Sequence, residues 1–262
     1  MNIRTKPTIF ALTIPVLGAI FSATAWAADP TPCFNESYNE SQYGYNNPVC
    51  GNYKAEASPA EAYIDTVARR DRDGKGDRHD RHEKSSGHAV IIDVRSAPEY
   101  RAGHTEHAYN VPYPFIYATC GATGRWPDGA CKSTISQVPQ PGDDFVAYVE
   151  SLIPNKDTPI YTLCRTGHRS VGAAHLLADA GYTNVRNIWE GFVGLYLNAP
   201  QVTGYNGDGT PVIGNAPVDL NHDGVLTDED KNGWRYHQAL PYDTRLLQNK
   251  IYQLGTEYYY MD

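Results

Sequence analysis

Apolar positions in this chain gather into short β-branched runs, and segments with helical spacing lie between them. Val90-Ile91-Ile92-Asp93-Val94, within residues 88–94, is apolar on both parities, the pattern of a strand buried on both faces of a parallel sheet. Residues 110–113, 159–163 and 185–188 predict three further short strands. Between them, Phe145, Val146, Val149 and Leu152 recur at helical spacing within residues 143–152. Val171, Ala174, Leu176 and Leu177 do so within residues 169–180, with Gly181 placed to end that helix. An earlier helix starts at Ser58-Pro59-Ala60-Glu61, where Ser58 caps, Pro59 suits the first turn and Glu61 completes a capping box. A helical turn is expected from Pro98 to Ala102, closed by Gly103. Strands alternating with helices predict an α/β fold, a small parallel sheet flanked by helices.

Three stretches lack either period. Residues 28–57 are rich in Pro, Asn and Tyr and read as an irregular N-terminal extension. Residues 69–86 are almost wholly charged or small, so they read as a solvated loop inserted into the domain. His79, His82 and His88 with Asp80 and Glu83 fall around it, without the spacing on a firm element that a metal site needs. Residues 118–142, with several Gly and Pro, read as a second inserted loop. The expected layout is a domain over 58–197 carrying these two insertions, and an irregular C-terminal extension over 198–262.

The first residues change the compartment. Arg4 and Lys6 precede an apolar run from 9 to 21, and Ala25-Trp26-Ala27 supplies small residues at the cleavage-site positions. This predicts a secretory signal peptide over 1–27 and a periplasmic or secreted protein. The apolar run is short and interrupted by Thr13, Pro15 and Gly18, which argues against a membrane anchor; no membrane association is expected after cleavage. Loss of Arg4 and Lys6 takes the formal net charge from −8 to about −10, which disfavours nucleic acid as a partner. In an oxidising space cysteines tend to pair. Cys33 with Cys50 and Cys120 with Cys131 are the expected local pairs, although spacing does not fix connectivity. Cys164 is left over, which marks either an intermolecular bridge or a thiol kept for use.

Its surroundings favour use. A strand ends at Cys164-Arg165-Thr166-Gly167-His168-Arg169-Ser170 and a helix begins there. Ligands in open α/β sheets bind beyond the carboxyl ends of the strands. Loop amides, the helix N-terminus and the flanking arginines would stabilise a thiolate and an anionic ligand at that point.

These residues resemble the rhodanese-like sulfurtransferases, in particular exported single-domain forms. Asp93-Val94-Arg95, Pro98-Glu99-Tyr100 and Gly103-His104 match one family element. Ala108-Tyr109-Asn110-Val111-Pro112 matches the strand after it, and Ser58 to Glu61 the preceding helix. Residues 164–170 match the active-site loop, and Asn187-Ile188-Trp189-Glu190-Gly191 the closing strand and turn. The resemblance implies sulfane sulfur carried on Cys164 as a persulfide, from a small anionic donor such as thiosulfate to a thiophilic acceptor, which can be a protein. It implies substrate contacts from Arg165, Thr166, Gly167, His168, Arg169 and Ser170, and structural support from Asp93 and Arg95, with no organic cofactor. Arg169 is the sixth residue of the loop, whereas phosphatase relatives place arginine seventh, so the shorter loop fits sulfur. Thr105-Glu106-His107 departs from the family turn and, with the two insertions, bears on the substrate entrance. The alternative from another class is a sulfur carrier or binding protein that works only with a partner; hydrolysis of an anionic ester is a third.

A second motif lies in the C-terminal extension. Asp219, Asn221, Asp223, Asp230 and the Val225 carbonyl fall at the ligand positions of a calcium loop, with Gly224 at its sharp turn. This resembles EF-hand and dockerin loops and predicts a structural Ca²⁺. Pro211 and Pro217 leave little room for the helix that enters such a loop, so the motif is half of one.

Overall fold

A computed structural model describes residues 52–72 and 88–253. The signal segment, Cys33, Cys50 and most of the charged insertion lie outside the described residues.

A five-stranded sheet carries the fold, in the order β1-β8-β7-β2-β4 with every neighbouring pair parallel. Its strands are β1 (Ala55–Ala57), β2 (Val90–Asp93), β4 (Tyr109–Asn110), β7 (Ile160–Leu163) and β8 (Val185–Ile188). Three of the four strands expected from apolar runs sit at the expected places. The fourth is only two residues long, although Val111 and Tyr113 go on donating to the Asp93 and Val94 carbonyls beyond it. β1 was not expected: Ala55-Glu56-Ala57 offers too little apolar surface to distinguish it from a loop.

Alternation along the strands splits the core in two. Val90, Ile92 and Ile160 face one cluster with Phe145 and Val149 of α4 (Gly142–Leu152) and Val171 and Leu177 of α5 (His168–Asp179). Ile91, Tyr161 and Leu163 face the other, with Ala62 of α1 (Pro59–Asp65), Val67 of α2 (Val67–Arg72), Phe192 and Trp234. The chain is therefore α/β, with helices covering a parallel sheet. Ser58 accepts a hydrogen bond from the Glu61 amide at the start of α1. The helix expected there is broken at Thr66 into α1 and α2. A short helix α3 (Ala97–Arg101) follows β2, and β3 (His104–Thr105) follows it.

Two regions read as irregular are partly ordered by backbone pairing. Across the second insertion, and starting three residues before it, β5 (Phe115–Cys120) and β6 (Thr134–Pro139) form an antiparallel hairpin. Nearly every β6 residue is exposed, so the strand leaves no apolar period in the sequence. The structure joins Cys120 to Cys131 across the turn. Beyond the sheet, β9 (Asn198–Tyr205) and β10 (Pro211–Pro217) form an exposed hairpin. The chain then returns to the core. Trp234 is fully buried and donates to the Pro241 carbonyl at 2.8 Å. β11 (Tyr242–Asp243) pairs with β3, the Asn110 amide donates to the Lys250 carbonyl, and Tyr252 accepts from Gln140. Residues 234–252 thus complete the core instead of forming a separate tail. Among the described residues no helix is long and apolar enough to cross a membrane.

Candidate active site

The central strand β7 ends at Leu163, and the loop 164–167 turns into α5. Val94 donates to the Leu163 carbonyl at 2.8 Å, so β2 and β7 run side by side up to the site. Two glycines shape the loop. Gly167 holds φ +85°, and a β-carbon there would stand 1.8 Å from the Trp189 carbonyl oxygen. Gly191 holds φ +72°, and its β-carbon would meet the Thr166 nitrogen at 2.6 Å. Loop and closing turn therefore touch backbone to backbone, a fit that only glycine permits. Phe192 and Val193 donate to the Cys164 and Arg165 carbonyls and lock the two segments together.

Cys164 is 1 % exposed. The Ser170 hydroxyl lies 3.3 Å from its sulfur and 3.0 Å from the Gly167 carbonyl, so one proton serves either acceptor. The Ser170 carbonyl in turn accepts from Thr162, which fixes the first turn of α5 over β7.

Both arginines of the loop are anchored. Arg169 makes a two-pronged pair with Glu99, at 2.9 and 2.6 Å. Glu99 also accepts from the Ser96 amide and hydroxyl. Burial would raise the Glu99 carboxyl, but the charge of Arg169 and the hydrogen bonds from Arg169 and Ser96 bring it down to about 2. Arg165 meets Asp128 of the hairpin turn, with Nε and Nη2 both 2.7 Å from Oδ2. His168 is exposed; partial burial and the Arg169 charge hold its imidazole below the ordinary value.

Asp93 and Arg95 lie beneath the site and are fully buried. Arg95 Nη2 donates to Asp93 at 2.6 Å and to the Gly103 carbonyl at 2.7 Å, and the guanidinium stacks over Phe192. The pair ties β2, α3 and the closing turn into one frame. A further chain of contacts starts at Tyr53, just before β1, and passes through Glu56 of that strand. Tyr53 donates to Glu56, Asn187 donates to Glu56 at 2.7 Å, and the same Asn187 amide lies 3.4 Å from the Gly167 carbonyl. Burial raises the Glu56 carboxyl to about 7, against the pull of those two hydrogen bonds.

The structure thus brings together Cys164, Arg165, Thr166, Gly167, His168, Arg169 and Ser170 above Asp93 and Arg95. It adds Glu99, Asp128 and Asn187, whose contacts the sequence reading did not foresee. Ser96-Ala97-Pro98-Glu99 carried a readable signal, a capping box before α3. Asp128 carried none, because its partner lies 37 residues away. A cavity of about 200 Å³ opens beside the loop, lined by Glu99, Phe115, Trp126, Arg165 and Arg169 among others.

The calcium-type residues lie elsewhere, in the turn before Thr227 and, for Asp230, in the short helix that Thr227 caps. The Asp219 carboxylate accepts from the Gly224 amide at 2.7 Å, and Asp223 accepts from Val225 at 2.7 Å. Asp230 is buried and accepts from the Leu220, Asn221 and Thr227 amides. Among the described residues no three acidic, histidine or cysteine side chains converge as a ready-made metal cluster. Asp219 Oδ1, however, is buried with no hydrogen-bond partner.

The sequence is similar to known proteins. The family model described as a rhodanese-like domain matches residues 79–197. Thiosulfate sulfurtransferase 18 of Arabidopsis thaliana is 34% identical over 108 residues, covering 41% of this chain and 66% of that protein. Thiosulfate sulfurtransferase 16, chloroplastic, of the same organism is 34% identical over 107 residues, covering 41% of this chain and 72% of that protein. A solved structure described as rhodanese with anions from E. coli is 22% identical, covers 38% of this chain and 82% of that one, and gives a TM-score of 0.25. The chain belongs to the rhodanese family. It spans 66%, 40% and 56% of the lengths of three of its curated relatives, short of two thirds in each.

Proposed function

We propose that this protein transfers sulfane sulfur, for example from thiosulfate, to a thiophilic acceptor through a persulfide on Cys164. The observation that carries the reading is the placement of Cys164 at the end of the central strand, with the Ser170 hydroxyl 3.3 Å from its sulfur and Arg165 and Arg169 on the adjoining rim. The Cys164 thiolate attacks the outer sulfur of thiosulfate. A new S–S bond forms, the donor S–S bond breaks, and sulfite leaves with the electron pair. An acceptor such as cyanide or a thiolate then takes the outer sulfur and returns the Cys164 thiolate. Ser170 would hydrogen-bond the sulfur in either state, and Arg165 and Arg169 would face the anionic donor. The Cys120–Cys131 disulfide favours an oxidising compartment as the place of work.

Thiocyanate formation from thiosulfate and cyanide tests this. Turnover by the full chain is expected to vanish in Cys164→Ser. A variant as active as the parent sinks the persulfide reading. A second reading, a carrier that passes its persulfide only to a docked protein, is favoured by the burial of Cys164. Fast turnover by the isolated chain rules it out.

The same proposal includes a structural Ca²⁺ held by Asp219, Asn221, Asp223, the Val225 carbonyl and Asp230. The buried, unpartnered oxygen of Asp219 supports it, since an oxygen without a donor suits a hard cation. Millimolar Ca²⁺ is expected to raise the melting temperature, and Asp223→Ala to remove the rise; an unchanged melting temperature in the parent would overturn the site. The range follows from the weak affinity, about 10⁻⁴–10⁻³ M, of extracellular calcium modules.

A further inference from the structure

The wall of the cavity opposite the active loop is built by the β5–β6 hairpin turn, and that turn is held firmly. The Cys120–Cys131 disulfide closes it. Arg125 donates to the Gly129 carbonyl at 3.1 Å and to the Ala118 carbonyl at 2.9 Å, bracing the tip against the base. Gly129, at φ +80°, lies flat on α3, where a β-carbon would stand 2.3 Å from the Pro98 carbonyl oxygen. Together these attachments aim Asp128 at the active loop. Its Oδ1 accepts from the Ala130 amide at 3.1 Å, which leaves Oδ2 for Arg165. Asp128 itself is 5 % exposed, so it is committed to that contact.

Charge at the rim follows from this pairing. Arg165 is offset by Asp128 and Arg169 by Glu99. A doubly charged oxyanion would meet two guanidinium groups whose charge is already balanced by carboxylates, and one of these, Glu99, itself lines the cavity. Arg125 adds a positive charge to the cavity lining, and Phe115, Ala118 and Trp126 add apolar surface. At about 200 Å³ the space exceeds what a single sulfur oxyanion fills.

We infer that Asp128, acting through Arg165, is a specificity-determining residue that favours singly charged organic sulfane donors, of the thiosulfonate class, over doubly charged thiosulfate. The inference rests on the sulfurtransferase reading above. Its chemistry balances without an added oxidant. The Cys164 thiolate attacks the outer sulfur of the thiosulfonate, the donor S–S bond breaks, and the organic sulfinate leaves with the electron pair. Asp128 touches neither the donor nor the Cys164 sulfur, so it is a positioning residue.

The test compares kcat/KM for thiosulfate and for benzenethiosulfonate, with cyanide as acceptor, in the full chain. The parent is expected to prefer benzenethiosulfonate. Asp128→Asn is expected to shift the ratio about tenfold towards thiosulfate, or about 1.4 kcal/mol, while Asp128→Glu retains the parental preference. A purely structural Asp128 would lower both donors alike, and an unchanged ratio in folded Asp128→Asn overturns the inference. Should Asp128→Asn not fold, a parental preference for thiosulfate overturns it equally. Absence of Cys164-dependent turnover with either donor is a different result, which takes down the sulfurtransferase reading and this inference with it.

Discussion

Gly167→Ala is expected to lower stability by roughly 2–5 kcal/mol and to abolish sulfur transfer in whatever fraction still folds. Two penalties combine. An L-residue at φ +85° pays for its left-handed backbone, roughly 1–2 kcal/mol. The new methyl must also displace the Trp189 carbonyl, 1.8 Å away, and that carbonyl belongs to a turn packed on both sides. Forcing such a core apart costs roughly 1–3 kcal/mol. The loop cannot yield instead, because Gly191 seats its backbone against Arg165 and Thr166 from the other side. Urea unfolding of the variant checks the stability term; a midpoint indistinguishable from the parent's would show that the loop tolerates a wider groove. Gly181 is the internal control, since it also holds a positive φ but a β-carbon there meets nothing within 4 Å. Its alanine variant should incur the backbone term alone.

Glu99→Gln is the second large effect. The carboxylate is buried and answers Arg169 and Ser96 at once. Removing its charge leaves Arg169 without compensation in a mostly buried place, a change of roughly 3–5 kcal/mol. The pH dependence gives the signature. The carboxyl is held near 2 in the folded protein, below its ordinary 4.5. Its contribution is therefore fully present above pH 4.5 and disappears as pH falls through 2. The stability gap between parent and variant should be widest near neutral pH and should close towards pH 2; a constant gap would mean that packing, not charge, is lost. Thiocyanate formation should fall by about 10–100-fold, the usual cost of a misplaced group at the reacting centre. Glu56 and Glu190 behave in the opposite sense. Burial raises both to about 7, so the stability they contribute in acid is lost as pH rises through that value.

What the sequence made legible follows the reach of its signals. Strands β2 and β7 are largely apolar on both parities, β8 is bounded by apolar Val185 and Ile188, and α4 and α5 carry a single apolar face, so local pattern is enough to place them. The Cys164 loop was legible because its chemistry is contiguous from 164 to 170. Strand β1 was not, since it is held by pairing with β8 and by Glu56 reaching Asn187, neither of which leaves a local mark. The β5–β6 hairpin was hidden for a related reason: its outer strand is exposed and owes its form to backbone bonds and a disulfide. Glu99 shows in the sequence as the end of a capping box and Asp128 leaves no local mark, and only the fold shows that each faces an arginine of the loop. Trp234 sits in a polar stretch that gives no sign of burial, although it is among the largest side chains in the core.

The position of β1 also governs the order in which the molecule can assemble. Glu56 and Asn187 are 131 residues apart, yet they meet at one edge of the sheet, and Asn187 reaches the active loop at the Gly167 carbonyl. A chain leaving the ribosome has its first strand available early and no neighbour for it until β8 has emerged. Contacts of such high sequence separation are slow to form, because the loop between them must be closed first. The nucleus of folding should therefore lie in β2, β7 and α5, with β1 docking last, and the site becomes complete only when the two ends of the domain have found each other.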